Sequence, residues 1–111
     1  MRHILASIIL IVLLFPTLAL GETIKDLVLM DGLYYKKFTA VPFTGKTTGR
    51  IQGSFKDGVL EGPYAAYYDS GRIRKKGTYV NGKEEGPWEF YLKTGKLKPR
   101  SGIYKNGVKV D

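Results

Sequence analysis

Apolar residues are distributed along the chain in two ways. Between Ile4 and Leu20 they run almost without a break, with Ser7, Pro16 and Thr17 the exceptions. From about residue 31 onward they come in short stretches cut by glycine. There the alternation has a period of two. Trp88 and Phe90 fall on one side of an extended segment, Glu89 and Tyr91 on the other. Tyr64 and Ala66 alternate in the same way with Ala65 and Tyr67. Such stretches predict strands. Asp57-Gly58, Asn81-Gly82 and Asn106-Gly107 separate them. These pairs predict type I′ hairpin turns, because that turn needs the positive φ that Asn, Asp and Gly tolerate. Ser70-Gly71 and Thr94-Gly95 mark the return turns. The expected fold is all-β, an antiparallel meander of β-hairpins following an N-terminal signal helix.

The strand pattern itself recurs. Gly53, Phe55, Asp57 and Gly58 lead into Glu61, Gly62, Pro63 and Tyr64. Gly77, Tyr79, Asn81 and Gly82 lead into Glu85, Gly86, Pro87 and Trp88, each 24 positions later. Gly102, Tyr104, Asn106 and Gly107 begin a third copy after 25. A period of this size predicts stacked hairpin units, none of which buries its apolar face alone. Phe55, Tyr64, Tyr79, Trp88 and Tyr104 form the expected core. Residues 23–48 are less regular. Ile24, Leu27, Val28 and Leu29 suit a short helical turn or an edge strand. Asp31 to Tyr35 reads as turn then strand, and Val41 to Lys46 as an exposed turn, since Pro42 is excluded from a central strand.

Composition and charge add a location. Met1-Arg2-His3 is a positive segment, and the apolar stretch ends at Ala19-Leu20-Gly21, which offers small residues for cleavage. That is the layout of a secretory signal peptide. Ile4 to Leu20 spans 17 residues, near the lower limit for an uncleaved membrane anchor. The chain contains no cysteine, which excludes both lipidation and disulfides. Without Arg2 the chain holds 17 basic and 10 acidic residues, a net charge of +7. Such a charge favours anionic partners. Export makes nucleic acid an unexpected one.

Catalytic chemistry has little to work with. The one histidine, His3, lies in the leader, and no thiol is present. Glu61 and Glu85 recur at the period just before Gly-Pro, so they are expected to accept backbone N–H bonds at turns rather than to act as an acid pair. No cofactor or metal is expected. The basic residues are more informative. Arg50, Arg74 and Lys98 lie 24 apart, as do Arg72 and Lys96. Two strands per unit would space equivalent charges about 10 Å apart, close to one Debye length. Arg50, Arg72, Arg74, Lys76, Lys96 and Lys98 are therefore candidates for an anion-facing stripe; the alternative is a solvated face that protects sheet edges. Tyr67 and Tyr91 are candidates for an exposed aromatic row that stacks on sugar rings.

The unit G-x-[FY]-x-[DN]-G-x-x-E-G-P-[YW], with a Tyr three residues later and a small residue plus Gly closing it, resembles the bacterial variant of the MORN repeat. Gly53 to Gly71 and Gly77 to Gly95 carry it, and Gly102 to Gly107 is an incomplete copy. Its structural positions here are Gly58, Gly62, Pro63, Tyr64, Gly82, Gly86, Pro87 and Trp88. The Pro42-Phe43-Thr44-Gly45-Lys46 stretch resembles the opening of the arrays in small exported members. The implied layout is a signal peptide or anchor at 1–21, a degenerate N-terminal cap at 22–48 and hairpin repeats at 49–111. The resemblance implies a binding or scaffolding role and no catalytic residue. MORN arrays are linked with membranes, acidic phospholipids and protein interaction, and some bacterial relatives are labelled antitoxin-like. The expected protein is not an enzyme. It is exported to the periplasm or beyond, anchored if the leader is kept. It engages an anionic or protein partner at the bacterial envelope through a basic strand face. The alternatives are an antitoxin-like inhibitor of a protein, or a cell-wall glycan binder using the aromatic row. Open sheet edges allow self-association.

Overall fold

The computed structural model describes residues 22–111, so the expected signal helix lies outside the described residues. The chain enters as a two-residue strand, β1 (Glu22–Thr23), and one 3-10 turn, Ile24–Asp26. The Asp26 carboxylate accepts from both the N–H and the hydroxyl of Thr23, which closes that turn and holds the Asp26 pKa below the ordinary carboxylate value. Strands β2 (Leu27–Met30) and β3 (Leu33–Lys36) form a separate hairpin over Asp31-Gly32. Nine further strands follow: β4 (Gly45–Thr48), β5 (Ile51–Gln52), β6 (Ser54–Lys56), β7 (Val59–Leu60), β8 (Gly62–Tyr67), β9 (Ile73–Val80), β10 (Lys83–Phe90), β11 (Gly102–Lys105) and β12 (Val108–Lys109).

The all-β antiparallel reading holds for the larger sheet. Its order is β12-β11-β10-β9-β8-β5, with every neighbour antiparallel. The second sheet, β1-β4-β6-β7, contains one parallel pair, with Glu22 opposite Thr47. The β2–β3 hairpin separates β1 from β4, and a long excursion leaves strand direction free where a tight turn would impose antiparallel pairing.

The hairpin turns have the geometry their residues demand. Asp57 and Gly58 have φ of 49° and 83°, Asn81 and Gly82 50° and 78°, Asn106 and Gly107 52° and 82°. Each turn is also tied to the unit before it. Gly58 donates its N–H to the Phe43 carbonyl, Gly82 to Leu60 and Gly107 to Glu84. Val41 to Lys46 has the expected exposed side chains at Val41, Thr44 and Lys46, but its backbone is paired rather than a free turn. Pro42 bridges to Tyr35, Phe43 donates to the Tyr34 carbonyl, and β4 begins at Gly45. The cause is the Phe43 ring, which packs edge-on against Phe55 with centroids 5.5 Å apart.

The core lies on one face of the sheets. Trp88, Phe90 and Tyr104 form a buried cluster with Tyr64 and Tyr79 half-buried against it; Ala66 is buried too, and Phe55 is buried beside Tyr34 and Phe43. Phe90 and Ala66 thus join the five aromatics expected there. Trp88 is the largest fully buried side chain. Its room comes from the backbone. Strand β10 pairs with β9 up to Glu85 and again from Glu89, and between them Gly86, Pro87 and Trp88 pair with β11. Gly86 makes that kink with φ of 78°. The indole then lies over Gly77, where a Cβ would overlap the ring, and its Nε1 donates to the Thr78 carbonyl at 2.9 Å.

Candidate functional site

Cross-strand pairing assigns the two faces of β9. Lys75 and Gly77 lie opposite Phe90, Ala66 and Tyr64, so they belong with Tyr79 to the aromatic face. Arg74, Lys76 and Thr78 alternate onto the other face, together with Ala65 and Glu89. This second face is polar and largely open.

Glu61 and Glu85 serve the backbone. Glu61 Oε1 accepts the Asn81 N–H at 2.8 Å, and Glu85 Oε1 accepts the Asn106 N–H at 3.3 Å. Each carboxylate therefore caps the hairpin turn of the following unit. At Asp57 the same task falls to a hydroxyl: Thr44 Oγ1 accepts the Asp57 N–H at 2.8 Å. Among the described residues no three His, Cys, Asp or Glu side chains gather as a metal site would require.

Five of the six basic candidates divide into two groups, and Lys98 stands apart from both. Arg50, Arg72 and Lys96 lie at the return turns. Arg50 pairs with Asp69 of the next turn, and Arg72 donates to the Thr94 carbonyl of the turn after that. Tyr68 adds a bond from its hydroxyl to the Tyr91 carbonyl at 2.7 Å. These contacts link successive turns, and both side chains of the Arg50–Asp69 pair stay exposed, so its strength is small. Lys96 is exposed and Lys98 half-buried after β10. Arg74 and Lys76 are different, because the pleat of β9 sets them side by side on the open face.

That face contains a shallow open trough of about 770 Å³ where the two larger sheets meet. Lys46 of β4, Gln52 of β5, Ser54 of β6, Tyr67 of β8, and Lys76 and Thr78 of β9 line it. With Pro63, Tyr64 and Ala65 completing the wall, the trough brings together two ammonium groups, an amide, hydroxyls, two aromatic rings and an apolar floor. Lys46 is a contributor that the repeat pattern does not single out, because it stands where later units carry Pro63 and Pro87. Tyr67 is half-buried in the wall. Tyr91 is also half-buried, and its hydroxyl donates to Glu89 Oε1 at 2.9 Å, which raises its pKa above the ordinary phenol value.

Two cations occupy the aromatic face instead. Lys75 Nζ lies 5.3 Å from the Tyr64 ring centroid, and the Arg100 guanidinium lies 3.9 Å from that of Phe90. Burial, then Arg74, hold the Lys75 pKa below the usual lysine value. A signal for Lys75 was present in its parity with Gly77 and Tyr79. Arg100 offered none, since it follows an irregular segment at Pro99. Among the described residues no helix is long and apolar enough to cross a membrane. Comparison with family models, curated proteins and solved structures gives no match.

Proposed function

We propose that this chain is an exported repeat-type binding protein that holds an anionic component of the bacterial envelope against its basic strand face. In this reading the hairpins are units of about 24 residues related to the bacterial MORN variant. They act as a scaffold and carry no catalytic group. The observation behind the assignment is the trough, where Lys46 and Lys76 share a mixed lining with Tyr67, Tyr64 and Pro63. Ammonium groups attract carboxylate or phosphate. A tyrosine ring offers a flat surface for a sugar, and Gln52, Ser54 and Thr78 offer hydrogen bonds. That mixture favours an acidic glycan over a bare phosphate.

Titration with acidic and neutral cell-wall glycan fragments, at low and high salt, tests the assignment. Acidic fragments bind more tightly, and added salt weakens them. The double variant Lys46→Gln/Lys76→Gln loses at least about tenfold in affinity, equivalent to about 1.4 kcal/mol. Equal affinity for neutral fragments, or indifference to salt, would sink it.

A further inference from the structure

The short loop between β3 and β4 carries the most exposed large apolar side chain among the described residues. Phe38 is 104% exposed, and Val41, three positions on, is 71% exposed. Phe38 also has φ of 65°. A bulky side chain in the left-handed region is strained, and a fold keeps such a residue only where its surroundings impose it. The surroundings here do so through hydrogen bonds. The Lys37 N–H donates to the Asp26 carbonyl at 2.9 Å. The Thr39 hydroxyl donates to the Lys36 carbonyl at 2.7 Å, and the Thr39 N–H donates to the same oxygen at 3.1 Å. The ring is therefore held outward by its own loop, with no side chain among the described residues covering it.

The neighbours of this ring are chemically specific. Lys36 and Lys37 precede it, and Lys25 stands on the adjacent 3-10 turn. Glu22 pairs with Lys36 at 2.8 Å and Asp26 lies close by, which leaves one basic charge in excess among these five. Glu22 is also the first described residue, two positions after the apolar sequence Ile4 to Leu20 ends. The exposed ring thus projects beside the point where the apolar sequence joins the domain.

We propose that Phe38 and Val41 form a wedge that enters the interfacial layer of a lipid bilayer, with Lys25 and Lys37 at headgroup level. Aromatic rings suit this layer, and basic residues near it gain from anionic lipid. One ring and one valine bury too little surface to anchor a protein by themselves, since stable attachment takes two signals. The wedge therefore sets the orientation of a domain that the adjoining apolar sequence Ile4 to Leu20 brings to the membrane. This site is separate from the trough, and it goes beyond the glycan-binding assignment.

Brominated-lipid quenching of the full-length chain in phosphatidylcholine–phosphatidylglycerol vesicles reads the depth of residue 38 directly. The native Trp88 is only 1% exposed and serves as a silent background. The Phe38→Trp protein is expected to lose at least about half of its additional emission. Lys93→Trp, in the exposed turn after β10, is expected to lose none. Quenching of F38W no greater than that of K93W would overturn the proposal, whether the ring faces water or a protein partner. Glycan titration of the F38W protein is expected to match wild type, so the two assignments fail separately.

Discussion

Two segments of this protein perform the same backbone task with different side chains. In Phe43-Thr44-Gly45-Lys46-Thr47 the Phe43 carbonyl receives the Gly58 N–H, Thr44 caps Asp57, and Gly45 takes φ of 149°. In Glu84-Glu85-Gly86-Pro87-Trp88 the Glu84 carbonyl receives Gly107, Glu85 caps Asn106, and Gly86 takes φ of 78°. The inward residue is Thr47 in one and Trp88 in the other, and both are buried. The first segment is held by a polar device. Thr47 Oγ1 donates to the Ile51 carbonyl and accepts from the Gly53 N–H, each at 2.8 Å. The second is held by packed rings: Trp88 meets Tyr79 edge-to-face at 4.9 Å and stacks on Phe90 at 5.7 Å between centroids. The lesson is that one hydrogen-bond arrangement accommodates either a polar or an aromatic filling.

Truncation is the most forceful way to test that contrast. Trp88→Ala removes the largest buried side chain and opens a cavity among aromatic rings, which costs about 3–5 kcal/mol. Thr47→Val keeps the volume but strands the Gly53 N–H, at a cost of about 1–3 kcal/mol. Urea unfolding midpoints measure both. If T47V proved as damaging as W88A, the polar device would be no lesser substitute for the ring.

The glycines facing these residues sharpen the comparison further. A Cβ at Gly77 would overlap the Trp88 indole, whereas at Gly53 it would meet Phe55 and Leu60 at 3.1 and 3.4 Å. Gly77→Ala is therefore expected to cost about 2–3 kcal/mol through overpacking. At Gly53 a shift of a few tenths of an ångström suffices, and Gly53→Ala should fall below about 1 kcal/mol. Equal losses in the same urea titration would show that the indole does not rest on the backbone at Gly77.

These residues also show what could be read before the fold was known. Asp57-Gly58, Asn81-Gly82 and Asn106-Gly107 announce their turns because few other pairs tolerate two positive φ angles in succession. The alternation around Trp88 and Phe90 announces an antiparallel sheet with an aromatic face. Glu61 and Glu85 announce turn-capping by recurring. Thr44 and Thr47 announce nothing, because a hydroxyl replaces a carboxylate in one case and a ring in the other. The parallel contact of β1 with β4 was equally silent, being set by a long excursion rather than by a turn. On the candidate face, Arg74 and Lys76 follow from strand parity. Lys46 does not, because its place in the trough depends on how two sheets meet. Arg50 and Arg72 have the right period but reach neighbouring turns.

The subtlest difference between the two regions is electrical. The ring cluster around Trp88 contains phenols, and burial, with smaller contributions from Tyr64 and Glu84, pushes the Tyr79 pKa from 10.0 up to about 12. Burial raises Tyr64 as well. Below pH 10 both the folded and the unfolded chain keep the Tyr79 proton, and stability has no slope from this group. Between about pH 10 and 12 the unfolded chain releases it while the folded chain retains it. The folded state then binds more protons, and stability falls as pH rises. Lys75 acts in the opposite sense. Its folded pKa lies below 10.5, so the unfolded chain binds more protons and stability rises with pH until about 10.5. The stability profile should therefore turn over near pH 10 and decline towards pH 12. Tyr79→Phe is expected to flatten the declining limb and leave the rising one in place. Phe55→Leu, in the region whose closest rings include no buried phenol pair, is expected to lower the whole profile without changing either slope. Urea midpoints collected from pH 8 to 12 would show this, and an unchanged alkaline limb in Y79F would move the titrating phenol elsewhere.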